Sequence, residues 1–404
     1  MRSPCIRRST NMSKKIGVEV SIAAADAVGL CDVDVVAAYP ITPQTHIVEH
    51  LSELVAEGHL DAEFVPVESE HSAMSACIGS SAAGARTFTS TCSQGYALMS
   101  ELCYIASALR LPIVMAVANR AISAPINIWN DHGDLMYARD SGWIQVIGEN
   151  GQETVDLTIA AFRIAEDPNI LLPVQVNLDG FTLSHMIEPI VMPDKKDVKK
   201  FLPAYKPQLR LDPANPITMG PVGMPDVYTE ARKAQDEALK SSKAQIVKIF
   251  NEFGKQFGRK YNLVETYKTE DAETIIITMG SLSQTAMTAV DMMRDKGKKV
   301  GVARIRVFRP FPADELFAAI KGAKNLVILD RVTSFTGGYV SGPVCLEIKS
   351  ILYDRKHYPK IGNFLAGLGG RDTTDQNFME MVDKVAASKD GGVPLAYEFI
   401  NVRE

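Results

Sequence analysis

Five segments in the first half of the chain run through apolar or small residues and then end in side chains that can bind a ligand. The polar residues that follow them are Thr42, Glu70, Ser93, Arg120 and Asp179. Apolar runs without alternation are typical of parallel strands covered by helices on both faces, and ligands bind at the carboxyl edge of such sheets. If the sheet is parallel, an acid, a guanidinium and hydroxyls meet at one edge, which makes that edge a candidate ligand-binding site.

The segments that would position these residues alternate between strand and helix patterns from residue 18 to residue 178, as a doubly wound sheet requires. Prolines crowd residues 186–226 and predict an extended arm. A long amphipathic helix then ends near Gly258 and leads into a second α/β unit. We therefore predict an α/β fold with two doubly wound, mainly parallel-sheet domains. The expected division is a disordered extension at 1–15, a first domain at 16–190, the arm and long helix at 191–264, and a second domain at 265–404.

The composition is that of a globular enzyme. Of 404 residues, 46% are hydrophobic and 23% are charged, and the net charge of -5 gives no electrostatic footprint for nucleic acid or for a membrane surface. No apolar stretch has the length of a membrane span, so we expect a soluble, cytoplasmic protein. Residues 1–15 carry five basic side chains and no acid, and a disordered extension or an early start before Met12 is favoured over a targeting segment.

Several motifs that would indicate other enzyme classes are missing. The six cysteines have no metal-ligand or iron–sulfur spacing, which favours reduced, buried thiols and predicts no cluster in this chain. Walker, GxGxxG and GxSxG motifs are absent. We also predict no metal ligands, because the loop around His132 is more typical of a capped, solvated turn. The glycines at 367–370 favour a structural turn.

Each candidate residue also has a structural interpretation when it is taken alone. Thr42 followed by Pro43 is typical of an N-cap and a first helical position. Arg120 can pair with a nearby acid, and Glu70 is a favourable acid in the first turn of a helix. Only the convergence of such side chains at one sheet edge favours a functional site. A non-catalytic scaffold is therefore the alternative from a different class.

Five motifs in a fixed order resemble the alpha subunits of the pyruvate:ferredoxin oxidoreductase family, within the 2-oxoacid:ferredoxin oxidoreductases. They are AAYPITP at 37–43, ESEHSA at 68–73, SQG at 93–95, ANRA at 118–121 and NDHGD at 130–134. The later segments RVFRPFP at 306–312 and GLGGRD at 367–372 are similar to that family's second domain. The resemblance covers the chain from about residue 18 to its end.

This resemblance implies a pyrimidine-type thiamine diphosphate domain followed by a transketolase C-terminal-like domain. It implies oxidative, reversible cleavage of pyruvate to acetyl-CoA and CO2, with coenzyme A as co-substrate and ferredoxin as electron acceptor. Thiamine diphosphate would be shared with a partner subunit. Beta-, gamma- and delta-type partners would hold Mg²⁺ and the 4Fe–4S clusters, which agrees with the lack of a GDG-type motif and of cluster cysteines in this sequence.

The resemblance also implies roles for three residues. Glu70 would hydrogen-bond the ring nitrogen of the cofactor's aminopyrimidine, with Glu68 a poorer match. Arg120 would bind the substrate carboxylate through its planar fork, and Thr42 would donate its hydroxyl near the substrate carbonyl. Pyruvate is the expected substrate. The alternatives within the family are 2-oxoglutarate, oxalate and branched-chain or aryl oxoacids.

Overall fold

The computed structural model describes residues 15–338, 340–388 and 397–403. The strands in chain order are β1 (Lys15–Glu19), β2 (Val35–Ala38), β3 (Glu63–Pro66), β4 (Thr87–Thr91), β5 (Val114–Asn119), β6 (Ile144–Ile147), β7 (Val174–Asp179), β8 (Ile187–Val191), β9 (Val264–Tyr267), β10 (Thr274–Thr278), β11 (Val300–Ile305), β12 (Val307–Arg309), β13 (Asn325–Asp330), β14 (Lys360–Leu365) and β15 (Glu398–Phe399).

The helices connect these strands in the alternating pattern that parallel sheets require. They are α1 (Val20–Leu30), α2 (Thr45–Ala56), α3 (Glu70–Ala82), α4 (Ser93–Ala108), α5 (Gly133–Tyr137), α6 (Gly151–Ala165), α7 (Lys195–Phe201), α8 (Tyr228–Phe257), α9 (Leu282–Asp295), α10 (Ala313–Ile320), α11 (Pro343–Asp354) and α12 (Asp375–Ala387). None of the helices in the described ranges is long and apolar enough to cross a membrane.

The first domain is built on a seven-stranded sheet with the order β12-β6-β7-β5-β4-β2-β3. Every pairing is parallel except that of β12 with β6. The β5 side chains alternate between two apolar cores: Val114 and Ala116 lie in one, and Met115 and Val117 in the other. Helices therefore cover both faces of this sheet, as its continuous apolar runs predict.

The second domain repeats this arrangement in a six-stranded sheet with the order β15-β14-β13-β10-β11-β9. Strand β9 pairs antiparallel with β11, and the other pairings are parallel. In β10, Ile275 and Ile277 face one core and Ile276 faces the other. The predicted fold class, two doubly wound and mainly parallel α/β domains, is confirmed.

The segment between the domains differs in part from its prediction. Residues 186–226 were expected to form an extended arm, but β8 pairs with β1 and helix α7 interrupts the segment. Phe201 of α7 packs edge-on against Phe253 and Phe257 of α8, and this burial supports a short helix that has no periodic pattern long enough to be recognised. Helix α8 ends at Gly258, whose φ of 76° is left-handed.

The two domains are joined by a buried ionic cluster centred on Glu153, in the first turn of α6. Its carboxylate accepts hydrogen bonds from Arg304 at 2.8 Å and from Arg306 at 2.6 Å, and Arg306 also reaches Glu265 at 2.9 Å. Burial alone would raise the pKa of the Glu153 carboxyl, but the two guanidinium groups lower it to about 2. Arg306, the first residue of the RVFRPFP segment, therefore connects the second domain to the first. Strand β12, which follows Arg306, pairs with β6 in the first domain's sheet.

Candidate active site

The strands that carry the candidate residues are neighbours. Strands β2, β4, β5 and β7 are adjacent and parallel in the first sheet. Asp179 is the last residue of β7, and Thr42, Ser93 and Arg120 follow the other three strands, so all four residues reach one edge. The prediction that these strands are parallel is confirmed.

Glu70 opens helix α3 and is buried, with 6% of its surface exposed. Among the described residues, no side chain or backbone group is hydrogen-bonded or ion-paired to its carboxylate. The carboxylate lies against Gly95 of α4, where an added Cβ would be only 2.4 Å from Oε1 of Glu70 and 2.7 Å from Oγ1 of Thr91. Glycine at position 95 therefore leaves the space that the carboxylate occupies. A buried acid without a partner is costly, and such groups are concentrated at functional sites.

Glu68, two residues earlier, has the opposite environment. Its side chain is exposed and accepts a hydrogen bond of 2.6 Å from the hydroxyl of Ser72. This hydrogen bond lowers the pKa of the Glu68 carboxyl. Ser69 between the two acids is the N-cap of α3 and accepts from the backbone N–H of Ser72. The structure thus separates an exposed, satisfied acid from a buried, unsatisfied one.

Arg120 is held at the edge by backbone carbonyl groups. Its Nε donates to the carbonyl of Asn127 at 3.1 Å, and Nη1 donates to the carbonyl of Thr42 at 2.9 Å. The residue is 7% exposed, and no acid among the described residues forms an ion pair with its guanidinium. The ion-pair interpretation of Arg120 is therefore wrong for this part of the chain. The positive charge is fixed in orientation and has no counter-ion there.

Thr42 meets Arg120 through its carbonyl oxygen, and its side chain is exposed. The prediction that Thr42 is a helix N-cap is wrong, because α2 begins at Thr45 and Gln44 precedes it as the cap residue. The Gln44 side chain instead donates to the carbonyls of Tyr39 and Ser90, both at 3.0 Å. These two hydrogen bonds fix the turn that contains Thr42.

Two further residues shape this edge, and sequence reasoning did not single them out. The buried carboxylate of Asp134 accepts from the backbone N–H of Ser93 at 2.9 Å and of Arg120 at 3.0 Å. It thereby ties the first turn of α4 to the end of β5. The Cys92 thiol donates to the carbonyl of Thr42 at 3.2 Å. Thr42 and Arg120 are therefore in direct contact, and Glu70 lies against Gly95 in the first turn of α4.

The loop that contains Asp134 is not the solvated turn that we predicted. His132 is 1% exposed, and its Nε2 lies 3.0 Å from Oδ1 of Asp179. Asp179 also accepts from Arg331 at 2.7 Å and from the backbone N–H of Ser281 at 2.8 Å, and both come from the second domain. Burial would raise the pKa of the Asp179 carboxyl, but Arg331, His132 and Ser281 hold it well below its usual range. Asp179 therefore locks the two domains together behind the edge.

The late glycines form a turn, as predicted, and the turn closes over the first domain. Gly367, Gly369 and Gly370 have φ values of 74°, 59° and 78°, which are left-handed and favour glycine. Asn127 donates to the carbonyl of Gly369 at 3.1 Å. Since Asn127 also holds Arg120 through its own carbonyl, the second domain supports the position of the guanidinium.

Among the described residues, Glu70 and Arg120 have no ion-pair partner, and both follow strands of one sheet. An acid and a guanidinium placed in this way are typical of an enzyme subunit that binds a cofactor and an anionic substrate. The family model described as pyruvate flavodoxin/ferredoxin oxidoreductase, thiamine diphosphate-binding, matches residues 26–251. A second model, pyruvate:ferredoxin oxidoreductase core domain II, matches residues 272–378. The chain belongs to the pyruvate:ferredoxin oxidoreductase family.

Two relatives show how far this similarity extends. The pyruvate synthase subunit PorA of Methanocaldococcus jannaschii is 51% identical over 371 residues, which cover 91% of this chain and 94% of that protein. The ketoisovalerate oxidoreductase subunit VorA of Pyrococcus horikoshii is 44% identical over 366 residues, covering 90% and 91%. A pyruvate synthase subunit and a ketoisovalerate oxidoreductase subunit are thus both similar in sequence to this chain over most of its length.

Solved structures show the same fold at low sequence identity. A 2-oxoglutarate:ferredoxin oxidoreductase from Magnetococcus marinus, with 2-oxoglutarate, coenzyme A and succinyl-CoA bound, has a TM-score of 0.67 at 19% identity. The match covers 92% of this chain and 65% of that longer chain. A split-gene transketolase has a TM-score of 0.51 at 13% identity, covering 91% and 98%. The two domains therefore share the fold of these structures.

Proposed function

We propose that this chain is the alpha-type subunit of a pyruvate:ferredoxin oxidoreductase, which converts pyruvate and coenzyme A reversibly to acetyl-CoA and CO2 while reducing ferredoxin. In this proposal thiamine diphosphate lies between this chain and a partner subunit, which provides the Mg²⁺ contacts. Beta-, gamma- and delta-type subunits complete the complex and carry the 4Fe–4S clusters. The family and the 51% identity to a pyruvate synthase subunit support this proposal.

The observation that carries the proposal is the environment of Glu70. Glu70 is 6% exposed, its carboxylate has no hydrogen-bond or ion-pair partner among the described residues, and the carboxylate fills the space that Gly95 leaves. A nitrogen heterocycle would suit this acid, because a ring nitrogen can provide the hydrogen bond that the carboxylate lacks. The residues present therefore fit the aminopyrimidine of thiamine diphosphate.

When bound, thiamine diphosphate would supply a carbon nucleophile and an electron sink for the decarboxylation of a 2-oxoacid. Glu70 would hold the proton that it shares with the ring nitrogen. A carboxylate away from water stabilises a protonated ring more strongly than an exposed one does. General acid–base groups of this kind contribute about 10²- to 10⁴-fold to rate.

Arg120 and Thr42 would bind the substrate. Two backbone carbonyls fix the guanidinium plane, which leaves its other N–H groups for a carboxylate, and a lysine would not provide the same planar fork. The exposed Thr42 hydroxyl would donate to the substrate carbonyl oxygen, which gains negative charge when the carbonyl is attacked. Arg331, another guanidinium near this edge, is paired with Asp179 at 2.7 Å. One carboxylate on the substrate is therefore favoured over two, as in pyruvate.

The Glu70 role is tested in the reconstituted complex with Glu70→Gln, and with Glu68→Gln as its matched control. Both substitutions remove one negative charge, at positions two residues apart. We expect Glu70→Gln to lose about 10²-fold or more in oxoacid-dependent ferredoxin reduction while the complex still assembles. Glu68→Gln should keep normal turnover. Normal turnover of Glu70→Gln, or equal losses in both variants, would refute the role.

The Arg120 role is tested with Arg120→Ala and with Arg110→Ala as the control. Arg110 also donates to two backbone carbonyls, those of Ile170 and Leu171, but it lies at the opposite end of α4. We expect Arg120→Ala to raise the KM for the oxoacid by about tenfold or more, as loss of a charged hydrogen bond of about 1.5–3 kcal/mol implies, with little change for coenzyme A. Equal changes in both KM values would count against the role. Assays with pyruvate, 2-oxoisovalerate and 2-oxoglutarate decide the substrate, and a preference for 2-oxoglutarate would reject pyruvate.

A further inference from the structure

Three metal-ligating side chains face one another outside the candidate active site. They are Glu19, His46 and His185, and one ligand atom of each lies within 4.8 Å of the other two. Nδ1 of His46 is 2.6 Å from Oε1 of Glu19, and the ring centroids of His46 and His185 are 4.6 Å apart. The residues are far apart in sequence, so the fold alone brings this set together.

The backbone holds the three ligands in place. Glu19 ends β1 and is the N-cap residue of α1, and its side chain makes no capping hydrogen bond. The next two residues bond to the segment around His185: Val20 N–H donates to the carbonyl of Met186, and Ser21 N–H to that of Ser184, both at 3.0 Å. His46 lies in the first turn of α2. Only small side-chain movements are therefore needed to bring all three ligands to about 2.0–2.2 Å from a common ion.

A second contact orients the His185 ring. Its Nδ1 lies 2.8 Å from the hydroxyl oxygen of Ser184, and Ser184 is fully buried and accepts from the N–H of Phe181 at 2.9 Å. This contact leaves Nε2 of His185 available to bind a metal ion. Metal-binding histidines are commonly oriented in this way, by a hydrogen bond to the ring nitrogen that does not bind the metal.

We propose that Glu19, His46 and His185 form a binding site for a divalent transition metal of the zinc class. Two imidazoles and one carboxylate are a set that Zn²⁺ uses together with a water in a fourth position, and imidazole favours such metals over Mg²⁺ or Ca²⁺. The His46 side chain is 40% exposed and that of Glu19 is 24% exposed, so solvent can provide the fourth ligand. The ion would join the starts of α1 and α2 to the connection between β7 and β8. This proposal does not depend on the proposed function.

The test uses the full, tag-free chain, stripped with a chelator and titrated with Zn²⁺ by calorimetry and thermal melting. We expect one Zn²⁺ per chain and a Tm that rises with free Zn²⁺. His46→Gln and His185→Gln should each lower the affinity for Zn²⁺ by about 100-fold or more, because even the loss of a residue that only hydrogen-bonds a metal ligand lowers metal affinity by about 10- to 100-fold. The matched control is His50→Gln, one turn further along α2 and bonded to Asp26 at 2.9 Å, which should bind as the wild type does.

Folding of each variant is checked by circular dichroism before titration, and Glu19→Gln serves as a further variant that keeps both rings. Co²⁺ is a second probe, because its visible absorption reports imidazole and carboxylate coordination directly. That signal should disappear in His185→Gln and persist in His50→Gln. The proposal is overturned if the wild type binds less than one Zn²⁺ per chain, or if the double variant of His46 and His185 binds Zn²⁺ as tightly as the wild type.

Discussion

Replacing Gly95 with alanine tests whether the position of the Glu70 carboxylate matters for activity. The new Cβ would lie 2.4 Å from Oε1 of Glu70, and ordinary contacts begin at 3.4 Å, so the carboxylate must move by about 1 Å. A displacement of about 1 Å in a catalytic group can cost about 100-fold in rate. Replacing glycine with alanine inside a helix stabilises the fold by about 1 kcal/mol, whereas the crowding destabilises it by roughly 1–3 kcal/mol. The net loss of stability is small enough that the protein should still fold.

The matched control is Gly79→Ala in α3, where nothing lies within 4 Å of the added Cβ. Both variants should be assayed in the reconstituted complex for turnover, bound thiamine diphosphate and Tm. We expect Gly95→Ala to lose about 100-fold in kcat, and Gly79→Ala to gain up to about 1 kcal/mol in stability at unchanged activity. A Gly95→Ala variant with kcat within about threefold of the wild type would refute the reasoning that links Glu70 to Gly95.

Three further predictions concern stability and reactivity. Folding lowers the pKa of the Glu153 carboxyl from 4.5 to about 2. The ionised carboxylate therefore contributes about 3 kcal/mol to the free energy of unfolding near neutral pH, and this contribution is lost as the pH falls from about 4.5 towards 2. In acid titrations Glu153→Gln should show a flatter loss of stability over that range, and an unchanged slope would contradict the assignment. Asp179→Asn leaves Arg331 buried without its partner and should cost about 3–5 kcal/mol in urea unfolding, where a change below about 1 kcal/mol would reject the interdomain lock. Burial raises the pKa of all five described cysteines, so iodoacetamide should label them only after unfolding, and rapid labelling of the native chain at those positions would contradict their burial.

Much of the site was predictable because strand ends are local features. The apolar runs before Thr42, Ser93 and Arg120 are short and bounded by polar residues, so their strands and their common edge follow from the sequence. What the side chains contact there depends on distant partners. The sequence did not show that Arg120 bonds to the backbone of Asn127, or that Asp134 is buried.

The incorrect expectations have similar physical causes. The loop around His132 has the composition of a solvated turn, and only its contacts with Asp179 and the second domain bury it. Helix α7 is too short for a periodic signal and depends on the contact of Phe201 with α8. The cluster of Glu19, His46 and His185 has no local spacing that a sequence motif could reveal. An extension was expected at residues 1–15; residues 1–14 lie outside the described residues, and Lys15 instead begins β1.

The most direct test of the central claim is the exchange rate of the acidic carbon proton of thiamine diphosphate in the reconstituted complex, measured by quenched deuterium exchange and NMR. If Glu70 holds the ring-nitrogen proton, Glu70→Gln should slow this exchange by about 10²- to 10⁴-fold, while Arg120→Ala leaves it unchanged. Wild-type exchange in Glu70→Gln complexes that contain the cofactor would contradict the account.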